Sequence, residues 1–312
     1  MVKSSSVGLT YFILGLALYQ AVKISLIINE SKSKARDKAN KFCALVKSSA
    51  HNCQILGTEY IGHAIDLASQ ASVDSDLIVA VGGDGTINEC VNGILKSGNN
   101  CALSVLPAGT GNDFVRSFSF PETPEALSQA IDNPSYFLAD VGQIVSTDAV
   151  EYFMNIADAG LGPAVLKQMT KSPSWLPSGL KFNSAIIRTL MSFKKPALSC
   201  KGDGFEWEGD ALVIAVANGI YFASGLGVAP EGKLDSGEFE VFVAGDISIR
   251  DYLANIPKLK KAQKVDHPGL HYFKSSWLEI SGPSSIEKDG EFGQDLPCKV
   301  TCLPRAIRLL NA

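Results

Sequence analysis

Between Leu77 and Leu106 the chain alternates in a way that few folds accommodate. Leu77–Val81 is an unbroken apolar run closed by Gly82 and Gly83. Ile87, Val91, Ile94 and Leu95 then recur at helical spacing up to Gly98, and Ala102–Leu106 is apolar again before Pro107. A short apolar run between turn signals predicts a strand buried on both faces. Strand, helix and strand in succession predict a layered α/β unit with a mostly parallel sheet. The same rhythm starts earlier, with the apolar run Ile24–Ile28, a polar stretch from Asn29 to Lys34, and a helical stretch through Val46.

Beyond about Leu138 the texture changes. Short β-like segments (Tyr152–Ile156, Ala211–Ala217, Glu238–Val243, Trp277–Ser281) are separated or followed by turn signals at Asp203-Gly204, Asn218-Gly219 and Asp289-Gly290. That pattern predicts an antiparallel β unit, interrupted by a stretch rich in helix formers from Leu161 to Lys201. A length of 312 residues also favours two cores over one. The expected organisation is an N-terminal apolar segment (1–22), an α/β domain (23–138) and a β domain (139–297).

A net charge of −4 speaks against a nucleic-acid partner, because such proteins usually carry a basic excess. Seven cysteines contain no Cys-x-x-Cys pair and are joined by only four histidines, which disfavours a zinc site. The expectation is reduced thiols packed as small hydrophobes in a cytosolic protein. Val7–Val22 resembles a signal-peptide core or a marginal membrane span. A small-x-small triplet inside the run and a strand starting directly at Ile24 favour a membrane-contacting or packed helix over an export signal.

Gly82-Gly83-Asp84-Gly85-Thr86-Ile87-Asn88-Glu89 follows a strand and opens a helix. Glycines there let backbone N–H groups approach phosphates, and the helix start adds a positive dipole end. Thr86 and Glu89 have the spacing of a capping box. Asp84, acidic in a phosphate site, fits a nucleotide that arrives with magnesium. One strand later Pro107-Ala108-Gly109-Thr110-Gly111-Asn112-Asp113-Phe114 repeats the logic. Gly109 and Gly111 permit close approach, while Thr110, Asn112 and Asp113 offer short polar groups. Two such strand ends put a ligand site at the edge of the sheet.

These two loops resemble the nucleotide loops of the diacylglycerol kinase catalytic-domain family, in particular the small bacterial lipid kinases. Asn155–Gly162, Asn218-Gly219 with Ala229-Pro230, Lys233–Gly237, and Lys288-Asp289-Gly290-Glu291 resemble later motifs of that family, so the likeness runs from Ile24 to Leu310. The resemblance implies a cleft between the α/β domain and a C-terminal antiparallel β-sandwich, with a last strand, about 298–312, returning to the first domain. It implies ATP and Mg2+ as cofactors and the γ-phosphate of ATP transferred to the hydroxyl of a membrane lipid, diacylglycerol foremost. It further implies that Asn29, Ser31, Ser33, Thr58, Gly83–Glu89 and Thr110 meet the nucleotide, and that Glu291, with Asp289, is catalytic. Two departures stand out. The usual Asn-Pro-x-Ser-Gly loop reads Asn29-Glu30-Ser31-Lys32-Ser33, and Ser236 replaces the second Asp of Leu-Asp-Asp-Gly, which holds a structural magnesium in the family. Only the backbone carbonyls of Lys233 and Glu238 would remain as metal ligands.

An exposed Glu beside an Asp-Gly hairpin turn would be the plainer reading of Glu291 from its residues alone; the resemblance makes it the acceptor of the lipid hydroxyl proton. Between Gly160 and Gly202, Lys167, Lys171, Lys181, Arg188, Lys194, Lys195 and Lys201 occur without an acidic residue, interleaved with Trp175, Leu176, Phe182 and Phe193. Such a stretch suits an anionic membrane surface or, equally, a solvated helix face. Lys258, Lys260, Lys261 and Lys264 form a second basic cluster. The expected protein is a cytoplasmic, peripherally membrane-associated lipid kinase, with a homodimer admissible. The rivals are a kinase of a soluble substrate such as NAD, or an inactive lipid- or nucleotide-binding regulator.

Overall fold

The computed structural model describes residues 21–47, 51–109, 111–147, 149–171, 178–223 and 225–312. Of the segment Val7–Val22 only the last two residues fall within this range, so its expected helix lies outside the described residues.

The first half runs β1 (Lys23–Ile28), α1 (Ala35–Val46), β2 (Asn52–Gly57), α2 (His63–Ala71), β3 (Leu77–Gly82), α3 (Asp84–Ser97), β4 (Ala102–Pro107), α4 (Pro124–Asp132) and β5 (Tyr136–Val145). Strands β2-β1-β3-β4 lie side by side, all parallel. Leu26, Ile27, Ile28 and Leu77–Val81 are almost completely buried because helices cover both faces of the sheet. β2 and α2, which the apolar pattern did not mark, complete this layer. β2 is only half-buried at the sheet edge, so it lacks the continuous apolar run of a central strand.

The remaining elements are β6 (Val150–Phe153), β7 (Ile156–Gly160), α5 (Leu161–Met169), α6 (Ser178–Ser192), β8 (Ala197–Gly202), β9 (Phe205–Asp210), β10 (Val213–Ala217), β11 (Tyr221–Phe222), β12 (Leu226–Gly227), β13 (Phe239–Ala244), α7 (Ile249–Leu259), β14 (Leu270–Ser275), β15 (Trp277–Ser281), β16 (Ser285–Lys288), β17 (Glu291–Asp295) and β18 (Cys298–Leu310). The order β14-β13-β10-β7-β16-β17 forms an antiparallel sheet. Its inner face packs Ile214, Val216, Val241 and Val243 against Leu198, Leu278, Ile280 and Val300 of β8, β15 and β18, which makes a sandwich. The other face is covered by α6 and α7, through Leu190, Tyr252 and Leu259. The predicted single strand Tyr152–Ile156 is in fact broken between β6 and β7.

β18 couples the two halves. Cys298–Thr301 pairs with β15, Arg308 and Leu309 pair in parallel with β4, and β5 runs antiparallel along both parts. The register breaks between Leu303 and Ile307, where Arg305 takes a positive φ of 53° and donates its N–H to Asp140 Oδ1 at 2.8 Å.

The cysteine expectation holds for five residues and fails for two. Cys90, Cys101, Cys200, Cys298 and Cys302 are free and buried, and burial pushes the thiols of Cys200 and Cys298 up to about 12, which keeps them unreactive. Cys43 of α1 and Cys53 of β2 form a disulfide, with their Cα atoms 5.8 Å apart. Pairing across ten positions of sequence depends on α1 packing beside the edge strand, which residue spacing does not reveal.

Candidate active site

The two glycine loops meet where β3 and β4 end. Ala108 and Gly109 both donate N–H groups to the Gly82 carbonyl, at 2.7 and 3.0 Å. A Cβ on Gly109 would come within 2.5 Å of Gly83 Cα, so only glycine allows this approach. Asp84 then ties the loops together, its carboxylate accepting the N–H groups of Asp113 and Phe114, both at 3.1 Å. No side chain caps α3 at Gly83, and the uncapped N–H groups of its first turn are available to an anion.

The expected capping box does not form. Thr86 accepts a hydrogen bond from Asn29 Nδ2 at 3.3 Å, and Glu89 reaches away to the N–H groups of Gly62 and Ala64, at 3.1 and 3.0 Å. Glu89 thus caps α2 instead of its own helix, because α2 packs with its first turn beside that side chain.

A cavity of about 780 Å³ opens over these loops, lined by Asn29, Ser31, Thr58, Gly83, Asp84, Gly85, Thr86, Glu89, Gly109, Gly111, Asp289 and Glu291. Most nucleotide-contact expectations therefore converge on one cleft. Four do not. Ser33 is exposed outside the cleft lining. Asn88 is buried beneath it, donating to the Tyr152 carbonyl and to Asp289 Oδ2 at 2.9 and 3.0 Å. Asn112 holds a turn at φ 52° by donating to the Gly109 carbonyl. Asp113 lines the adjoining cavity described below and lies 3.5 Å from Arg116 Nη1. Thr110 lies outside the described residues. Lys32, inside the expected Asn29–Ser33 stretch, also lines the cleft, and so do Tyr60, Ile61 and Met169, which were not anticipated. Tyr60 and Ile61, exposed beside a bare glycine, carried no motif that could have marked them.

Asp289, in the β16–β17 turn, and Glu291, the first residue of β17, do different things. Asp289 accepts four hydrogen bonds, from Asn88 Nδ2 and from the N–H groups of Met154, Asn155 and Ile156, at 2.8–3.0 Å. Its carboxylate is thereby saturated and buried, which corrects the catalytic role expected of it. It is a positioning residue that pins the turn to α3 and to the β6–β7 corner. Glu291 is half-buried and faces the glycine loop, its Oε1 lying 2.7 Å from where a Cβ on Gly85 would stand. Burial first, and then the neighbouring Glu89 carboxylate, raise its pKa above the usual range.

A second cavity, of about 890 Å³, joins the cleft at Asp84, Gly111, Asp289 and Gly290, which line both. Its walls are mostly apolar, built from Leu161, Val165, Ile186, Leu190, Tyr252 and Ile256 of α5, α6 and α7. At the surface beside it Ile187, Met191 and Leu253 are 61%, 85% and 43% exposed, next to the exposed cations Arg188, Lys194 and Lys260. Of the predicted basic stretch, Lys195 is drawn inward to the Gly245 carbonyl at 3.3 Å, and Phe193 packs on the core under α6. Trp175 and Leu176, and the side chains of Lys181 and Phe182, lie outside the described residues.

The residues fit the two implied metals unequally. The glycine cradle suits a triphosphate, and magnesium arriving on phosphates needs only one or two protein carboxylates; Asp84 lines the cleft where it would meet them. The structural ion does not fit. The Ser236 hydroxyl sits 2.8 Å from the Glu238 carbonyl oxygen and 3.2 Å from that of Lys233. Asp140 is committed to the N–H groups of Gly237 and Arg305. The two carbonyls expected as metal ligands are therefore engaged by a hydroxyl, and among the described residues no group of three or more His, Cys, Asp or Glu is placed to hold an ion.

The fold and this cleft define a two-domain kinase class. The chain belongs to the diacylglycerol kinase catalytic-domain family: the model of that catalytic domain matches residues 23–144, and that of the YegS C-terminal NAD kinase beta sandwich-like domain matches residues 155–311. Among curated relatives it is 30% identical to "Probable lipid kinase YegS" of Escherichia fergusonii, covering 91% of this chain and 94% of that one. It is 28% identical to "Diacylglycerol kinase" of Staphylococcus aureus (strain bovine RF122 / ET3-1), covering 90% of each. A solved diacylglycerol kinase structure from Bacillus anthracis str. Sterne shares the fold, with a TM-score of 0.68 at 20% identity over 93% of this chain and 97% of that one.

Proposed function

We propose that this protein transfers the γ-phosphate of Mg-ATP to the hydroxyl of a membrane lipid, with diacylglycerol the first substrate to test and phosphatidic acid its product. The observation that carries the reading is the junction of the two cavities. A polar, glycine-floored cleft and an apolar pocket meet at Asp84, Gly111, Asp289 and Gly290, next to the one carboxylate of the Asp-Gly-Glu turn that faces the loop.

The polar cleft holds the nucleotide against the α3 N-terminus, and Lys32 adds a positive charge to its lining. Bound magnesium supplies charge neutralisation on the phosphates. The apolar pocket takes the acyl chain, leaving the hydroxyl at the junction. Glu291 accepts the hydroxyl proton as the lipid oxygen bonds to the γ-phosphorus; the bond from that phosphorus to the β–γ bridging oxygen breaks, and ADP leaves. The raised pKa of Glu291 suits this role, since a base works best with a pKa near the operating pH. Ile187, Met191 and Leu253, flanked by cations, would rest on an anionic membrane surface, consistent with peripheral attachment from the cytoplasm. Among the described residues no helix is long and apolar enough to cross a membrane.

The test is a panel of lipid alcohols in mixed micelles with Mg-ATP, with the products weighed by mass spectrometry. Diacylglycerol, phosphatidylglycerol and sphingoid bases form the lipid arm. NAD forms the soluble arm, because the second half matches an NAD kinase-like sandwich. Phosphorylated NAD with no phosphorylated lipid would overturn the proposal, and liposome binding without any transfer would favour a regulator.

A further inference from the structure

Asp158 and Glu287 form an acidic centre separate from Glu291. They stand directly opposite each other on paired strands β7 and β16, and they are 0% and 4% exposed. One oxygen of each is engaged by backbone: Gly162 N–H donates to Asp158 Oδ1 at 3.0 Å, and Gly290 N–H donates to Glu287 Oε1. The remaining oxygens, Asp158 Oδ2 and Glu287 Oε2, are buried and meet no N–H or hydroxyl donor among the described residues. The two carboxyl groups stand side by side on the paired strands, each the other's nearest neighbour for its unpartnered oxygen.

Ionised carboxylates only accept, so two such oxygens buried together satisfy each other only through a proton held between them. Burial raises both groups, and the adjacent Asp158 pushes Glu287 further up, well above the usual carboxylate range. The other titratable groups facing the pair are Asp289 in the following turn and Tyr252 of α7; Lys288, next to Glu287 in sequence, lies 3.3 Å from Glu151.

Gly290, which Glu287 holds, immediately precedes Glu291. Asp289 is pinned by its four donors, so Glu287 completes the hold on the turn from the side of the apolar pocket. We propose that the proton shared by Asp158 and Glu287 fastens Gly290 and so aims Glu291 at the nucleotide cleft, making Glu287 and Asp158 positioning residues for phosphoryl transfer. The kinetic part of this proposal rests on the lipid-kinase reading; the fastening itself does not. Below the pair's raised pKa the proton is present and the turn is held. As pH rises through that pKa the proton leaves, two buried charges face each other, and the turn loosens.

The experiment compares wild type, Glu287→Ala and Glu287→Gln. The glutamine can accept from Gly290 N–H and donate to Asp158 without a titrating proton. Without any substrate, Gly290 amide exchange should be slow in wild type and Glu287→Gln and fast in Glu287→Ala. The infrared band of a protonated carboxyl should be weaker in Glu287→Gln than in wild type below the pair's raised pKa. Equal Gly290 exchange in all three proteins, or an unchanged band, overturns the fastening. In turnover, Glu287→Ala should lose about 10²-fold in kcat with its KM for ATP nearly unchanged. Glu287→Gln should recover most of that loss and no longer lose activity on the alkaline side. An alkaline limb identical to wild type in Glu287→Gln overturns the positioning role. Absence of lipid phosphorylation by wild type would defeat the kinase reading and leave the exchange and infrared results to decide the fastening.

Discussion

The nucleotide cleft and the apolar pocket share four lining residues yet are built by opposite means. The cleft is mostly main chain: two glycine turns, an uncapped helix start, and side chains such as Asp84 and Asp289 spent on holding loops together. The pocket is mostly side chain, drawn from three helices that cover one face of the antiparallel sheet. A site of backbone donors tolerates little change in shape, because each added atom displaces a loop. A site of aliphatic side chains tolerates exchange of similar volumes. Selectivity among lipids is accordingly expected from the pocket, and loss of phosphotransfer from the cleft.

The largest expected effect falls on the cleft. Glu291→Gln should lower kcat by about 10²–10⁴-fold, with the KM for ATP nearly unchanged. Wild-type level kcat would remove Glu291 from proton acceptance. Because Glu291 must be ionised to accept the proton, kcat should fall as pH drops through its raised pKa, above the usual carboxylate range; a limb at the ordinary glutamate value would contradict the burial described here. Asp84→Ala should follow, lowering kcat/KM for ATP by about 10–100-fold, since the N–H groups of Asp113 and Phe114 lose their acceptor and the loops part. Unchanged ATP kinetics would mean that the loops hold without it.

The pocket should respond differently. Ile187→Glu with Met191→Glu places two charges on the exposed apolar rim. This pair should reduce activity on anionic vesicles by about tenfold while leaving ATP affinity alone. Equal losses on vesicles and on a short-chain soluble lipid would separate the rim from the membrane. The smallest effect is expected at Ser236, whose hydroxyl bridges two carbonyls. Ser236→Ala should cost about 1 kcal/mol in stability, read by denaturant unfolding, and added magnesium should leave the melting temperature of nucleotide-free wild type unchanged. A clear rise with magnesium would restore the structural ion.

The same contrast separates what was legible in the residue order from what was not. Gly82–Glu89 and Gly109–Asp113 announced a phosphate-sized cradle because glycine, helix start and strand end are local features, and β1, β3 and β4 appeared as buried apolar runs. The partners of Asp84, Glu89 and Asn88 were not legible for one shared reason. Each bonds across a fold contact that spacing does not show: Asp84, while lining the cleft, to the next loop, Glu89 to the start of α2, Asn88 to a turn 201 positions along the chain. The Cys43–Cys53 bond escaped notice likewise, since only packing sets a helix beside an edge strand.

The residue order alone determined the parallel nucleotide-type sheet, the glycine cradle and the antiparallel second half, because these follow from local periodicity and from the conformational freedom of glycine. Only the tertiary structure decided that Glu291 faces Gly85, that Asp289 anchors its turn, that Ser236 engages the carbonyls expected to hold an ion, and that an apolar pocket opens onto the cleft. Those outcomes depend on burial and on donors far away in sequence, and burial is a property of the packed chain.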